Sequence, residues 1–239
     1  MANPTARERA RAEIMAELLS AARARVVADG AADLSLRAVA RDLGMASSAV
    51  YRYVESRDAL LTLLIIEAYD AVGLVAETAV EGAHGKEPAA VWLEVARAVR
   101  GWALEHRHSF ELIYGTPVRG YEAPQDTIAH AVRIWAVLVG LVMRAGAEGL
   151  LSPAGPEFDP RGRVAPEVFA FVGFADPADV PDDVARLAAR SVTLFTSLIG
   201  AISVELFGHL HNVAGDAARL FDVTIGTAAA GVGLRVDLD

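Results

Sequence analysis

The stretch "LSLRAVARDLGMASSAVYRYV", Leu34 to Val54, leaves this chain few ways to fold. Leu36, Val39, Ala40 and Leu43 line one face of a short helix, with Ser35 at its start as an N-cap and Gly44 at its end as a terminator. Gly44 to Ala46 give room only for a tight turn before the next helical segment, so the two helices meet at a steep angle, as in a helix-turn-helix. Ala40 is small where the next helix must cross, Gly44 can take a positive φ, and Val50 is apolar where the gap between the helices needs filling.

The flanks extend this unit. Ile14, Leu18, Leu19, Ala22 and Val26 recur at helical spacing between Arg7 and Asp29, and Gly30 follows as a C-cap. After Ser56, "RDALLTLLIIEAYDAVGLVAETAV" predicts a long helix that carries the chain into its second part. The whole chain of 239 residues is 54% hydrophobic, mostly in apolar runs of helical period, and the expected fold class is all-α. With no cysteine there is neither a disulfide framework nor a thiolate metal site, which fits a reducing cytoplasm.

Charge is unevenly distributed. Residues 1 to 60 hold 9 Arg against 8 Asp and Glu, which leaves the remainder strongly acidic within a total of -9. Screening confines attraction to about 8 to 10 Å, so a local arginine cluster can still meet a polyanion. The acidic remainder excludes a nonspecific DNA-coating protein. The apolar stretch Ser191 to Phe207 contains Glu205 and falls about one turn short of the roughly 20 residues that span a bilayer, so a buried helix is expected. The N-terminal residues mix charges of both signs and lack a signal-peptide pattern. A soluble cytoplasmic protein, with no membrane partner, is the expectation.

Residues 7 to 72 resemble the DNA-binding domain of the TetR family of transcriptional repressors. The pattern runs Gly44, Met45, Ala46, then Ser47, Ser48 and Ala49, then Val50, Tyr51, Arg52, Tyr53, Val54, Arg57 and Leu60. The resemblance implies residues 1–60 as a helix-turn-helix DNA-binding domain and residues 61–239 as a helical ligand-binding and dimerisation domain. In such a motif the second helix enters the major groove by its N-terminal end, which offers Ser47, Ser48, Ala49 and Arg52 to base edges. Arg52 can pair bidentately with guanine, and the Ala49 methyl can pack on a thymine methyl. Tyr51, Tyr53 and Arg57 are expected at phosphates, and Ser35 to Arg37 at the backbone across the groove, with Arg37 within reach of a base. Either tyrosine could instead pack on the first helix. Arg7, Arg9 and Arg11 read as a solvated face, with a minor-groove arm as the alternative. The family usually has Ser or Thr where this chain has Ala46, so Ser47 either takes over the cap or the helix loses about 1 kcal/mol.

Farther along, a helix is expected to end near Arg107, followed by a Gly/Pro-broken stretch and a helix from about Gln125 to Gly149. Trp102, His106 and Gly115, with "IGAISVELFGHL" later on, resemble one tryptophan-histidine-glycine subgroup of TetR C-terminal domains. Trp102, His106, Phe110, Tyr114, Trp135, Met143 and Phe195 are the candidate ligand-binding residues, with each equally open to a plain core role. Few charges lie among them, so an apolar or amphipathic small-molecule inducer is expected, with His106 or Tyr114 as its polar anchor. Residues 150 to 181 hold six of the ten prolines and read as a long connection with one helical piece at Pro166 to Gly173. Helices at about Pro181 to His209 and Asp216 to Gly233 are apolar nearly all round, which calls for a second chain to cover them. A homodimer would set two recognition helices one DNA turn apart on double-stranded DNA, matching a palindromic operator, and Ile225 and Ala229 are expected in its seam.

His106 and His108, like His209 and His211, stand two apart and point to different helix faces, a poor metal geometry. Nucleophile elbow, phosphate-binding glycine loop and His-Glu-x-x-His are missing from the sequence, so neither enzyme activity, metal nor cofactor is expected. The reading is therefore a sequence-specific DNA-binding repressor released from its operator by a small molecule. The alternative is a helical small-molecule binder or scaffold whose N-terminal unit makes protein contacts only.

Overall fold

The computed structural model describes residues 5–152, 155–160, 162–165, 169, 173–174 and 176–238. Among these residues there are ten α-helices and no strand. They fall into two compact units: the chain up to Asp70 with His108–Ala131, and Ala71–Arg107 with Val132–Asp239.

The first unit opens with α1, Ala6–Asp29. Thr5 and Glu8 form a reciprocal capping box there: the Glu8 carboxylate accepts from the Thr5 backbone N–H at 2.7 Å, and the Glu8 N–H donates to Thr5 Oγ1 at 3.3 Å. Then come α2, Leu36–Asp42, and α3, Ser47–Val50, joined through Gly44 at φ 64°. Ala40 and Val50 are both buried, so the three constraints read from the turn hold together in space. Leu18, Ala22 and Val26 of α1 pack in one core with Leu36, Val39, Val54, Leu60 and Leu64. Arg25 locks this core from outside, donating to both Asp42 carboxylate oxygens at 2.6 Å and to Asp29 at 3.0 Å. Arg23 pairs with Glu67.

Helix α4, Arg57–Gly82, starts in this unit and passes the boundary at Asp70. α5 spans Pro88–Glu105, with His106 as its C-cap. The broken stretch expected after Arg107 instead begins with a further helix, α6, Arg107–Tyr114. Gly115 ends it: its N–H donates to Glu111 O at 2.8 Å, and a Cβ there would stand 2.3 Å from that same oxygen. The single helix expected from Gln125 to Gly149 is divided. A 3-10 turn, Gln125–Thr127, leads to α7, Ile128–Ala131, and after Val132 comes α8, Arg133–Ala147.

Residues 108–131 lie in the first unit: Leu112, Ile113, Val118 and Tyr121 pack against its core. The chain thus passes between the units three times, at 70/71, 107/108 and 131/132, and α4 is not the single continuous link that its length suggests.

In the second unit, α9, Asp182–Leu206, packs on α8 and on α10, Ala217–Val232, and α5 touches all three. Buried Trp92 of α5 donates its indole N–H to Ile225 O at 3.2 Å. Two bidentate ion pairs bind the same helices, Arg100 with Glu205 at 2.7 and 2.5 Å and Arg97 with Asp222 at 3.1 and 2.7 Å. Ile225 and Ala229 are fully buried within the single chain, which removes them from an intersubunit seam.

α9 begins well before Ser191, so its 25 residues, like the 26 of α4, are long and apolar enough to cross a membrane by length and composition. Of the piece expected at Pro166 to Gly173, only Phe169 and Gly173 are among the described residues.

Candidate nucleic-acid interface

α3 is a single turn. Beyond it the backbone tightens, with Arg52 N–H donating to Ala49 O at 3.2 Å and Tyr53 N–H to Val50 O at 2.9 Å. Val50 and Val54 point into the core and fix this segment on α1 and α2. Their burial determines which side chains face outward: Ser47, Ser48, Tyr51 and Arg52 are exposed, Tyr51 by 51%, while Ala49 is half-buried.

Ala46 occupies the N-cap of α3, and no side chain caps that helix. The Ser47 hydroxyl is therefore not spent on the cap, and both serines remain open to an outside partner. Ser35 holds the N-cap of α2 by backbone geometry alone, with Arg37 exposed in the helix's first turn. Neither Arg37 nor Arg52 makes an ion pair among the described residues, so two cations flank the exposed serines.

Tyr53 and Arg57 are placed differently from the other exposed candidates. Tyr53 is half-buried against the core, and the Arg11 guanidinium stands over its ring, 5.4 Å from the centroid. Arg11 also donates to Arg52 O at 3.4 Å, so a residue read as solvated pins the far end of the recognition segment. No local pattern reveals this, because the partners lie 41 positions apart. Arg57 donates to the carbonyls of Ala31 at 3.0 Å, Ala32 at 2.9 Å and Leu34 at 3.2 Å, and to Asp58 at 2.8 Å. Its guanidinium thus closes the 3-10 turn Ala31–Asp33 that feeds α2, and the phosphate contact expected of it competes with that closure.

The candidate ligand residues form three groups. Trp102 is buried and packs at a tilt against exposed His106, ring centroids 5.5 Å apart, both at the end of α5. Phe110 and Tyr114 pack together at 5.1 Å, and Tyr114 meets Tyr69 edge-on at 5.9 Å, all within the first unit. Burial holds the phenols of Tyr114 and Tyr69 above the usual tyrosine range. Trp135, Met143 and Phe195 join Val139, Phe169, Ala185 and Ala188 in a cluster of the second unit.

Sequence reasoning missed a polar set near Tyr69. The Thr62 and Tyr121 hydroxyls lie 2.9 Å apart, Tyr69 donates to Ile113 O at 3.3 Å, and His130 Nδ1 is 2.7 Å from Asp70. These bonds tie residues 108–131 to the first half of α4. An open groove of about 540 Å³ in the second unit, lined by Leu74, Val75, Thr78, Ala79, Ala83, Glu94 and Ala98, contains none of the predicted ligand residues. Among the described residues no group of three or more His, Asp or Glu is arranged to hold a metal.

A capped three-helix core with an exposed, uncapped recognition turn, in a chain that also builds a second helical unit, defines a helix-turn-helix transcriptional regulator. Comparison with known proteins gives the family. The model of the tetracyclin repressor-like C-terminal domain matches residues 92–228. The HTH-type transcriptional regulators Rv1816 of Mycobacterium tuberculosis and Mb1846 of Mycobacterium bovis are each 41% identical over 209 residues, covering 84% of this chain and 84% of theirs. The solved structure of the regulatory protein SCO4313 is 29% identical with a TM-score of 0.72, covering 95% of this chain and 98% of that one. RolR, solved in complex with resorcinol, shares the fold at a TM-score of 0.53 and 18% identity, covering 95% of this chain and 90% of its own. The chain belongs to the TetR family of transcriptional regulators.

Proposed function

We propose that the protein is a homodimeric repressor that binds a palindromic operator through α2 and α3 and is released by an apolar or amphipathic small molecule. The observation that carries the DNA-binding half is the outward set Arg37, Ser47, Ser48, Tyr51 and Arg52, mounted on a core that leaves them free of internal partners. Arg52 reads a base, Arg37 and Tyr51 hold phosphates, and Ser47 and Ser48 meet whichever base edge lies opposite. Such a protein acts in the cytoplasm, where the chromosome is.

Dimerisation is supported by two exposed stripes without charge. Thr193, Thr196, Gly200 and Val204 run down α9, and Val223, Thr224, Thr227 and Ala230 down α10. The hydroxyls of Thr196, Thr224 and Thr227 are turned back onto carbonyls of their own helices at 2.8 to 2.9 Å, so these residues present methyl groups outward. Both stripes are suited to burial against a second copy.

For ligand release, the three chain passages between the units are the available conduits. A ligand that favours the conformation with misplaced recognition helices by about 1.4 to 2.8 kcal/mol lowers operator affinity tenfold to hundredfold. RolR's resorcinol, an aromatic ring with two hydroxyls, supports a small amphipathic molecule as the class of effector.

Gel-shift of the purified protein against the promoter region beside its own coding sequence tests the reading. A discrete shift that survives excess scrambled duplex and weakens with salt is expected. Binding of neither duplex, or of both equally, overturns it in favour of a scaffold or plain ligand binder.

A further inference from the structure

On α9, Arg190 is 5% exposed, yet neither of its terminal nitrogens makes a hydrogen bond. Its nearest anion is Glu157, whose Oε1 lies 3.7 Å from Nη2, beyond hydrogen-bonding range, on a side chain that is 82% exposed. One turn earlier Arg186 donates to Phe158 O at 2.6 Å and to the other oxygen of the same carboxylate at 3.2 Å. The Phe158 ring lies beside both guanidinium carbons, at 5.8 and 6.0 Å. Two cations therefore share one exposed carboxylate, and the more buried of them has the weaker claim on it.

A buried charge whose counter-anion is exposed, shared and out of hydrogen-bonding range is costly for a fold to hold, and an arginine cannot shed its proton to escape the cost. The unused terminal nitrogens of Arg190 form a planar fork that matches a carboxylate bidentately. One further monoanion brings Arg186, Arg190 and Glu157 to neutrality, whereas a phosphate dianion overshoots. The Phe158 ring supplies an apolar wall beside the fork.

We propose that Arg190, with Arg186, Glu157 and Phe158, forms a binding site for the carboxylate head of a small apolar acid. The proposal rests on the reading of the second helical unit as an effector-binding domain and names the polar group that its effector carries. The cation was missed in the sequence because the apolar run of α9 begins immediately after it.

The test is calorimetric titration of the full-length protein with octanoate and with octan-1-ol, which share an alkyl chain and differ in charge. Octanoate is expected to bind wild type at least about tenfold more tightly than octan-1-ol. Arg190→Met removes that preference and melts no lower than wild type without ligand, because a buried charge without hydrogen bonds at its terminal nitrogens has become an apolar side chain. Glu157→Gln, scored on protein that circular dichroism shows to be folded, tightens octanoate severalfold by removing the competing carboxylate. Equal affinity for the two probes at millimolar concentration overturns the proposal, as does an octanoate preference that survives Arg190→Met. If Arg190→Met yields monomers by light scattering with octanoate binding unchanged, the cation serves the subunit interface and the proposal falls. Operator release is scored separately: octanoate bound at Arg190 without release leaves this site standing and sinks the inducer reading. Release by octan-1-ol without any carboxylate preference does the reverse.

Discussion

The recognition segment, Ser35 to Arg57, and the α9–α10 pair both expose hydroxyl-bearing and small side chains, yet they constrain their sequences differently. Around α3 nearly every position has a single geometric role. Gly44 at φ 64° makes the turn, Val50 and Val54 anchor it, and Ser47, Ser48 and Arg52 face out. On α9 and α10 the inward role beyond Ser191 needs only apolarity, and Leu194, Leu198, Ile202, Phe221 and Ile225 fill it with whatever branching fits. A tight turn is specified by residue identity, whereas a helix-packing core is specified by pattern.

The largest break in this comparison should come from charge in the α9–α10 stripes. Val204→Asp combined with Val223→Asp, at positions 37% and 52% exposed, is expected to leave each subunit folded. It should yield monomers by light scattering and cost at least about a hundredfold in operator affinity, because the linked half-sites are lost. Val204→Leu should change neither. A stable dimer carrying both aspartates would move the interface elsewhere.

Next in size is the core beneath the recognition segment. Leu60 is fully buried in it, so Leu60→Ala should destabilise the first unit by about 2 to 5 kcal/mol, read by denaturant titration. Operator affinity should fall only where the folded population falls.

A smaller effect is expected at Arg57. Losing its bonds to the Ala31, Ala32 and Leu34 carbonyls should cost about 1 to 3 kcal/mol in stability, with the ratio of operator to scrambled-DNA affinity unchanged. A normal melting curve with binding weakened on all sequences and a flatter salt dependence would return Arg57 to the phosphate backbone.

The smallest concerns Asp42. Its hydrogen bonds with Arg25 hold the carboxyl below its ordinary value of 3.8. The pair therefore stabilises the fold above that pH, and its contribution disappears as pH falls through the lowered value. Asp42→Asn should flatten the acid limb of the stability profile below about pH 4. An unchanged acid limb would show that the exposed pair contributes nothing.

The helix-turn-helix was legible because its constraints are local, within the eleven positions from Ala40 to Val50. Arg57 and Arg11 were read less well, since their partners are backbone carbonyls and a ring 23 to 42 positions away, which leave no periodic trace. The split of residues 108–131 from their sequence neighbours was invisible for the same reason: it depends on Tyr121 meeting Thr62 and His130 meeting Asp70. Helical period predicted α9 and α10 to within a few residues, but could not tell that Ile225 and Ala229 face the chain's own core while Val223 faces out. Nor could it assemble the ligand candidates, since seven apolar or aromatic residues on separate helices give a composition and not a geometry.

The most direct test of base reading by the recognition segment is fluorescence anisotropy of wild type and Arg52→Ala, each on the operator duplex and on a scrambled duplex at fixed salt. Arg52 is exposed and has no ion-pair partner among the described residues, so its loss should leave the melting curve unchanged. The predicted result is a loss of about 1 to 3 kcal/mol on the operator and little on scrambled DNA, narrowing the ratio between them. Equal loss on both duplexes, or none on either, would contradict a base-reading role for Arg52 in this turn.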